Sequence, residues 1–298
     1  GHGKYVMQLV RNLTQIEQIN FLLTNRVPRH LLTRFMGWYS RIESPLLARF
    51  SIFVWKMFAD DIDLDEAKEQ RFNSLHDCFI RELKEGARTI DRREHVIASP
   101  CDAIVGAHGA IDGLTVFQAK GFPYDISDLV PDRALQEKYR NGRYITLRLK
   151  SSMYHHFHAP VDGEVKQVNY ISGDCWNVNP VALKRVEKLY CKNERAFLEL
   201  KTDRVEHDLL LIPVAAILVA SMKFECLESE LNLQYTGRNK IPCDARYARG
   251  DDMGYFQHGS TIIMLCSSEY DFIPGIETGV GVRMGQALMQ RDEDKPNG

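Results

Sequence analysis

Apolar side chains recur at steps of three and four residues along the segment from residue 31 to residue 58. This spacing is typical of amphipathic helices, which place one apolar stripe against a neighbour. Gly37 and the ESP stretch at 43–45 interrupt the segment, and Ser44 followed by Pro45 is a common helix start. The sequence therefore predicts N-terminal helices, whose apolar positions are Leu32, Phe35, Met36, Tyr39, Ile42, Leu46, Phe50, Phe53, Val54 and Met57.

After residue 96 the pattern changes to short runs rich in β-branched and apolar residues. Runs such as RYITLRL (143–149), GEVKQVNYI (163–171) and STIIMLC (260–266) are separated by stretches that contain Gly, Pro, Asp and Asn. Many short strands with turn residues between them are typical of a β-barrel or β-sandwich. We therefore expect an α+β protein, with N-terminal amphipathic helices in residues 1–90 and a β-rich, barrel- or sandwich-like domain in residues 91–298.

Composition and charge exclude several classes of function. The chain of 298 residues has a formal net charge of −2, so it lacks the strong positive field typical of nucleic-acid binding. Its seven cysteines form no Cys-x-x-Cys pair, which argues for a reducing compartment and against a disulfide framework or a zinc ribbon. The most apolar stretch, residues 209–222, is too short to cross a bilayer and contains Pro213. We expect no nucleic-acid partner and no transmembrane helix.

Three of the ten histidines lie within four positions, in the stretch MYHHFHAPVDG (153–163). Neutral imidazoles bind zinc, and strand alternation would bring His156 and His158 to one face. However, the sequence holds no His-Glu-x-x-His motif and no paired cysteines that would complete a zinc site. We therefore predict no metal site, and we expect histidine to act here as an acid or base.

Ser260 is a candidate nucleophile, because it follows Gly259 at the start of the apolar run in FQHGSTIIML (256–265). A tight turn is the commoner use of such a tripeptide. A serine hydrolase is another explanation, with a histidine as the base and an aspartate that orients it. Against this explanation, the Gly-x-Ser-x-Gly motif of α/β-hydrolases is absent.

Self-cleavage is a third explanation for this Gly-Ser pair. After deprotonation by a histidine, the Ser260 hydroxyl would attack the carbonyl carbon of Gly259 and convert the peptide bond to an ester. β-Elimination would then free Gly259 as a new C-terminus and leave a dehydroalanine, which hydrolyses to a pyruvoyl group. Glycine suits the acyl side because it has no Cβ that obstructs attack. A pyruvoyl carbonyl can form a Schiff base with an amine and accept the electrons released by decarboxylation.

Several stretches resemble the phosphatidylserine decarboxylase family, in the order in which that family carries them. The resemblance runs from about residue 30 to residue 288, and its stretches are SPCDAIV (99–105), FQAKG (117–121), YHHFHAP (154–160), GDCWNVNP (173–180), KNERAFL (192–198), DDMGYFQHGSTIIML (251–265) and VRMGQAL (282–288). The chain departs from the family at His258, where an aliphatic residue is usual, and at Ala103, where glycine is usual.

The resemblance implies that the Gly259–Ser260 bond is cleaved and that Ser260 becomes a covalent pyruvoyl cofactor. It also implies a processing triad of Asp102, His158 and Ser260, with His158 as the base and Asp102 fixing its tautomer. His155 would handle the proton during decarboxylation. A regular strand would send His155 and His158 to opposite faces, so we predict a bend or bulge there. His156, between them, we assign a structural role.

The function implied by the resemblance is conversion of phosphatidylserine to phosphatidylethanolamine and carbon dioxide, through a Schiff base on the pyruvoyl group. Three alternatives stay open at this point. One is a pyruvoyl decarboxylase of a free aromatic amino acid, and the second is a serine hydrolase that uses Asp102, His158 and Ser260. The third is a lipid-binding or scaffolding protein on a degenerate decarboxylase fold.

The N-terminal helices offer a means of reaching a lipid substrate. The segment carries Trp, Phe and Leu together with Arg29, Arg34, Arg41, Arg49 and Lys56, a composition typical of helices that lie in the headgroup region of a membrane. With a lipid as substrate, we favour this interpretation over packing against the protein's own core or against a second copy in a homodimer. The expectation is a peripheral protein on an anionic membrane surface, at the cytoplasmic face.

Overall fold

The computed structural model describes residues 29–59, 61–117, 122–150, 152–172, 189–215, 221–228, 231–232, 239–256 and 260–293. Within these ranges the α-helices are α1 (Arg29–Ser40), α2 (Pro45–Phe58), α3 (Leu75–Phe79), α4 (Ile126–Leu129), α5 (Arg133–Lys138) and α6 (Leu189–Lys192), with a 3-10 helix over Val205–His207. The strands are β1 (Val96–Ala98), β2 (Ala103–Ala110), β3 (Thr115–Val116), β4 (Tyr124–Asp125), β5 (Arg143–Leu149), β6 (His156–His158), β7 (Gly163–Ile171), β8 (Arg195–Leu200), β9 (Leu209–Val214), β10 (Ser221–Phe224), β11 (Leu231–Asn232), β12 (Lys240–Tyr247), β13 (Asp252–Phe256), β14 (Ser260–Cys266), β15 (Asp271–Phe272), β16 (Gly281–Val282) and β17 (Ala287–Gln290).

Helices α1 and α2 confirm the prediction made from the apolar spacing. Ser44 caps α2, since its hydroxyl accepts a hydrogen bond from Leu47 N at 3.3 Å, and Pro45 occupies the first turn. Neither helix, nor any other in the described ranges, is long and apolar enough to cross a bilayer.

The N-terminal segment is attached to the rest of the chain through α3. The indole of Trp55 in α2 packs edge-on against the ring of Phe79, with centroids 4.6 Å apart and planes at 81°. A small apolar cluster supports this contact and consists of Ala67, Phe72 and Cys78 with Ile52, Trp55 and Leu64 packed against it. The boundary between residues 1–90 and 91–298 stays a prediction.

The largest sheet in the described ranges has eight strands in the order β12-β7-β8-β9-β14-β5-β2-β16, and its neighbouring strands are antiparallel. Strand β14 lies in the middle, between β5 and β9, and all of its residues are buried. Its nearly unbroken apolar run suits a strand that is covered on both faces. The α+β class is confirmed, and this sheet is open, with β12 and β16 at its edges, rather than closed into a barrel.

A second sheet, of order β11-β10-β13-β6, carries the histidine cluster. Strand β13 of this sheet ends at Phe256, and β14 of the large sheet begins at Ser260. The predicted cleavage segment therefore connects two sheets. The other described sheets, β1-β17-β15 and β3-β4, are smaller.

Candidate active site

Ser260 is the first residue of β14 and is almost completely buried, with 1% of its surface exposed. Its hydroxyl donates a hydrogen bond to the main-chain carbonyl of Val214 in β9. In the ladder with β5, Ser260 lies opposite Leu149. Gly259, His258 and the bond predicted to be cleaved lie outside the described residues.

His155 is fully buried and lies one residue before β6. Its Nδ1 is 2.8 Å from the carbonyl oxygen of Phe79, and its Nε2 is 3.2 Å from that of Lys150. Burial lowers the pKa of His155 to about 4, so the ring is neutral at pH 7 and carries one N–H. Because the Nδ1 contact is shorter, we place the N–H there, which leaves Nε2 as the unprotonated nitrogen.

Two backbone relationships bring His155 near the start of β14. Lys150, whose carbonyl faces Nε2, directly follows Leu149, the residue opposite Ser260. On the other side, the amide of Phe256 donates to the carbonyl of His155 at 3.2 Å, and Phe256 is the last described residue before Ser260. His155 is thus held between the two strand ends that flank the predicted cleavage site.

His158 is held as a neutral imidazole with one defined tautomer. Its Nδ1 donates to the carbonyl of Gly250 at 2.9 Å, because a carbonyl can only accept. The hydroxyl of Tyr154 lies 2.8 Å from Nε2 and donates to it. Burial lowers the pKa of His158 and raises the pKa of Tyr154, which keeps the imidazole uncharged and the phenol protonated. Nε2 is therefore the acceptor nitrogen that a general base needs.

Asp102 is held by Arg88 and by the backbone of Met284. The guanidinium donates through Nε to Oδ1 at 3.0 Å and through an Nη nitrogen to Oδ2, while the Met284 amide donates to Oδ1 at 2.8 Å. Within the described residues no hydrogen bond joins Asp102 to His158. We expected Asp102 to fix the tautomer of His158, but His158 Nδ1 bonds the Gly250 carbonyl, which fixes the tautomer instead.

A cleft of about 220 Å³ nevertheless lies between His158 and the residues that hold Asp102. It is lined by His158 and Tyr154 and also by Arg88 and Met284, the two residues that hold Asp102. The structure thus brings His158 and the two residues that hold Asp102 to the same cleft. His155 is held between the two strand ends that flank Ser260, and among the described residues Ser260 forms no hydrogen bond with Asp102 or His158.

His156 has contacts that support a structural role. Its Nδ1 is 2.6 Å from a carboxylate oxygen of Asp252, and its Nε2 is 2.7 Å from the carbonyl of Ile80. The ring also stacks on Tyr154, with centroids 5.1 Å apart and planes at 10°. These contacts attach the second sheet to the turn that follows α3.

The predicted irregularity occurs in the strand opposite the histidines. His158 pairs with Asp252 and Phe157 with Gly254, so Met253 is an extra residue in β13. Gly254 has a φ of +153°, and a Cβ at this position would lie 2.0 Å from the carbonyl oxygen of Lys223. Only glycine fits this close approach of two backbones.

Arg88 and Tyr154 are site residues that sequence reasoning missed. Tyr154 adjoins the histidine cluster, and its position four residues before His158 is a signal that could have indicated a contact. Arg88 has no local signal, because it reaches Asp102 across the fold. Among the described residues no group of three His, Cys, Asp or Glu side chains is arranged to hold a metal ion.

Comparison with known proteins adds to this geometry. A family model described as phosphatidylserine decarboxylase matches residues 75–290. The chain belongs to the phosphatidylserine decarboxylase family. The resemblance seen in the sequence is thereby confirmed, and with it the assignment to the decarboxylases, which are carboxy-lyases.

Curated relatives within the family cover almost the whole chain. A phosphatidylserine decarboxylase proenzyme of Brevibacillus brevis is 33% identical over 272 residues, which is 89% of this chain and 95% of the relative. Phosphatidylserine decarboxylase proenzymes of a Shewanella species and of Photobacterium profundum are each 31% identical to this chain. Each match covers 94% of this chain, together with 100% of the Shewanella protein and 99% of the Photobacterium protein. The word proenzyme places these relatives among enzymes made as precursors, and the family does not favour the serine hydrolase alternative.

Proposed function

We propose that this protein is a self-processing, pyruvoyl-dependent decarboxylase that converts phosphatidylserine to phosphatidylethanolamine and carbon dioxide. The observation that supports it best is the position of Ser260, which is buried at the start of a central strand, with the neutral His155 held between the strand ends that flank it. The Ser260 side chain is buried and its hydroxyl bonds one main-chain carbonyl, so it does not serve to solvate the protein surface. These properties suit a residue that is converted to a pyruvoyl group. Family membership supports the same assignment.

Maturation begins with movement of the Ser260 hydroxyl away from the Val214 carbonyl. His158 accepts its proton at Nε2, and the oxygen attacks the carbonyl carbon of Gly259 while the peptide C–N bond breaks. Elimination then removes the Cα proton of residue 260 to a base as the Cβ–Oγ bond breaks, which leaves a carboxylate on Gly259 and a dehydroalanine at position 260. One water molecule converts the dehydroalanine to the pyruvoyl group and releases ammonia. Arg88 holds Asp102 beside this cleft, where its negative charge stabilises a protonated His158.

The pyruvoyl group supplies a carbonyl that accepts the electron pair released when carbon dioxide leaves. His155 serves the proton transfer at Nε2, since the Phe79 carbonyl fixes its N–H at Nδ1 and leaves Nε2 unprotonated. Its complete burial would exclude water from that nitrogen and so limit protonation by solvent during the reaction.

The surface of α1 and α2 supports docking on a membrane. Large apolar side chains are exposed along both helices, among them Trp38 at 66% and Leu46 at 79%. The other exposed apolar residues of this surface are Leu31, Phe35, Phe50, Phe53 and Met57. An exposed apolar patch beside basic side chains is typical of a peripheral membrane contact, here with an anionic cytoplasmic face.

The function is tested by carbon dioxide release from carboxyl-labelled phosphatidylserine in anionic vesicles. The proposal expects release by the wild-type protein and none by Ser260→Ala. Ser267→Ala is the matched control, because Ser267 follows the same strand and its hydroxyl donates to the Glu206 carbonyl at 2.7 Å, away from the site. Release from a free aromatic amino acid, with none from the lipid, would overturn the substrate assignment.

A further inference from the structure

Two arginines lie on one face of the large sheet at the level of Thr261. In the ladders, Thr261 of β14 pairs with Arg148 of β5 on one side and with Val214 of β9 on the other. Val214 in turn pairs with Arg195 of β8. Directly paired residues of antiparallel strands place their side chains on the same face, so Arg148, Thr261 and Arg195 share it.

The two guanidinium groups differ in how they are satisfied. Arg195 is buried, and its guanidinium donates to four main-chain carbonyls, at distances of 2.8 to 3.1 Å. The guanidinium of Arg148 forms no ion pair and no hydrogen bond with any described residue, although it is partly buried. Burial lowers the pKa of Arg148, which reflects the cost of a desolvated charge that lacks a counterion.

Other polar groups near Arg148 also lack well-placed partners within the part of the chain that the structure describes. Thr261 is completely buried, and its Oγ1 has no hydrogen-bond partner of good geometry among the described residues, although it lies near the Tyr190 hydroxyl. The hydroxyl of Tyr124 is likewise buried and unpartnered among these residues, and its ring lies edge-on to Tyr190 at 6.1 Å. Tyr190 interacts electrostatically with Arg148. Among the described residues, this face of the sheet thus gathers a cation and buried hydroxyl groups without an anion that would satisfy them.

We propose that Arg148, assisted by Thr261, binds the phosphodiester of the lipid head group. This assignment rests on the proposed function. Phosphate oxygens accept several hydrogen bonds and match the planar donors of a guanidinium. A carboxylate is the less suitable ligand, because pairing it with Arg148 would stabilise the ground state whose charge must leave during decarboxylation.

The position of Arg148 suits a substrate attached at residue 260. Thr261 directly follows Ser260, and Arg148 directly precedes Leu149, which lies opposite Ser260. The α-carbon of residue 260 lies in the plane of the sheet, so a molecule bound there can extend to the face that carries Arg148. The head-group phosphate is connected to the reacting amine through the short serine side chain.

The test compares the kinetics of Arg148→Gln and wild type on phosphatidylserine in mixed micelles. We expect KM to rise on the order of tenfold to a hundredfold, the loss typical of hydrogen bonds to a charged group, while kcat is largely kept. Thr261→Val should raise KM less and in the same direction. Arg143→Gln is the matched control, since Arg143 lies on the same strand and is 3.5 Å from the exposed Asp271; it should leave KM unchanged.

Two soluble probes identify the group that is bound. O-phospho-L-serine should protect the wild-type protein against thermal unfolding and should lose this effect in Arg148→Gln, whereas any effect of L-serine should be equal in both. If Arg148→Gln lost the thermal protection by both probes equally, Arg148 would bind the carboxylate and the phosphodiester assignment would be wrong. If both KM and the protection by O-phospho-L-serine were unchanged in Arg148→Gln, Arg148 would not be part of the binding site. A wild-type protein that releases no carbon dioxide would contradict the proposed function. The thermal measurement needs no turnover, so it would still test the binding of phosphate by Arg148 in that case.

Discussion

Arg88 binds both carboxylate oxygens of Asp102, a residue fourteen positions further along the chain. The same guanidinium donates to Glu66, which in turn lies 3.2 Å from Arg283. Burial opposes the charge of Arg88, but its hydrogen bonds to Asp102 and Glu66 outweigh this effect and raise the pKa of the guanidinium. The N-terminal segment, through Glu66, is therefore linked by charge to the cleft that contains His158.

Replacing Arg88 with glutamine should slow maturation at Ser260. Asp102 loses two charge-assisted hydrogen bonds, each worth about 1.5 to 3 kcal/mol, so we expect a slowing of at least tenfold. The rate is measured as the appearance of the 260–298 fragment after synthesis. Arg93→Gln is the control, because Arg93 is exposed and its ion pair is with Asp91, outside the cleft. Maturation of Arg88→Gln at the wild-type rate would show that Arg88 does not position Asp102.

Tyr154→Phe should make His158 more basic. The phenol donates to the neutral imidazole at Nε2 and so disfavours its protonation, and its removal raises the pKa of His158. The expected stability loss is about 1 kcal/mol, since one buried acceptor loses its partner. NMR titration of His158 in the two proteins measures the shift. An unchanged or lower pKa in Tyr154→Phe would contradict this role.

His155 should make the protein less stable as the pH falls from about 6.5 to about 4. Its pKa is about 4 in the folded protein and 6.5 for a solvated histidine side chain, so the unfolded chain binds the proton first. The linkage predicts a loss of about 2 kcal/mol between pH 7.5 and pH 5 from this residue alone. Urea unfolding at the two pH values checks it. In His155→Gln the pH-dependent loss should shrink by that amount, and an equal loss in both proteins would rule out His155 as its source.

Charged residues on the exposed face of α2 should weaken membrane binding. Phe50 and Phe53 are each 63% exposed, so Phe50→Glu with Phe53→Glu should fold normally. Each phenylalanine that enters the interface contributes roughly 1.5 to 3 kcal/mol, and the double variant should bind anionic vesicles at least tenfold more weakly in flotation assays. Val205→Glu alters an equally exposed apolar residue outside these two helices and serves as the control. Undiminished binding by the double variant would place the contact elsewhere.

Local pattern was sufficient for much of the fold. The runs at 143–149, 163–171 and 260–266 form β5, β7 and β14 with the predicted bounds, because apolar and β-branched residues continue to the end of each run. The α1 and α2 helices follow from apolar spacing and from the cap at Ser44. The open sheet could not be predicted, because closure depends on the pairing of strands that are distant in sequence.

The sequence indicated the histidines and the serine of the candidate site, but it did not indicate which groups their side chains contact. The chain itself places His155, His158 and Ser260 in motifs, but the carbonyl that fixes His158 comes from Gly250, ninety-two positions away. Arg88 reaches Asp102 only because the segment before β1 folds back over the cleft. Such contacts are set by tertiary packing, which carries no local sequence signal.

The central claim is that Ser260 becomes a pyruvoyl group, and the intact mass of the purified protein tests it most directly. The account predicts a fragment of residues 260–298 that lacks its amine, gains the mass of a hydrazone after treatment with phenylhydrazine, and is absent from Ser260→Ala. A single wild-type species at the full 34.3 kDa, unreactive toward phenylhydrazine, would contradict it.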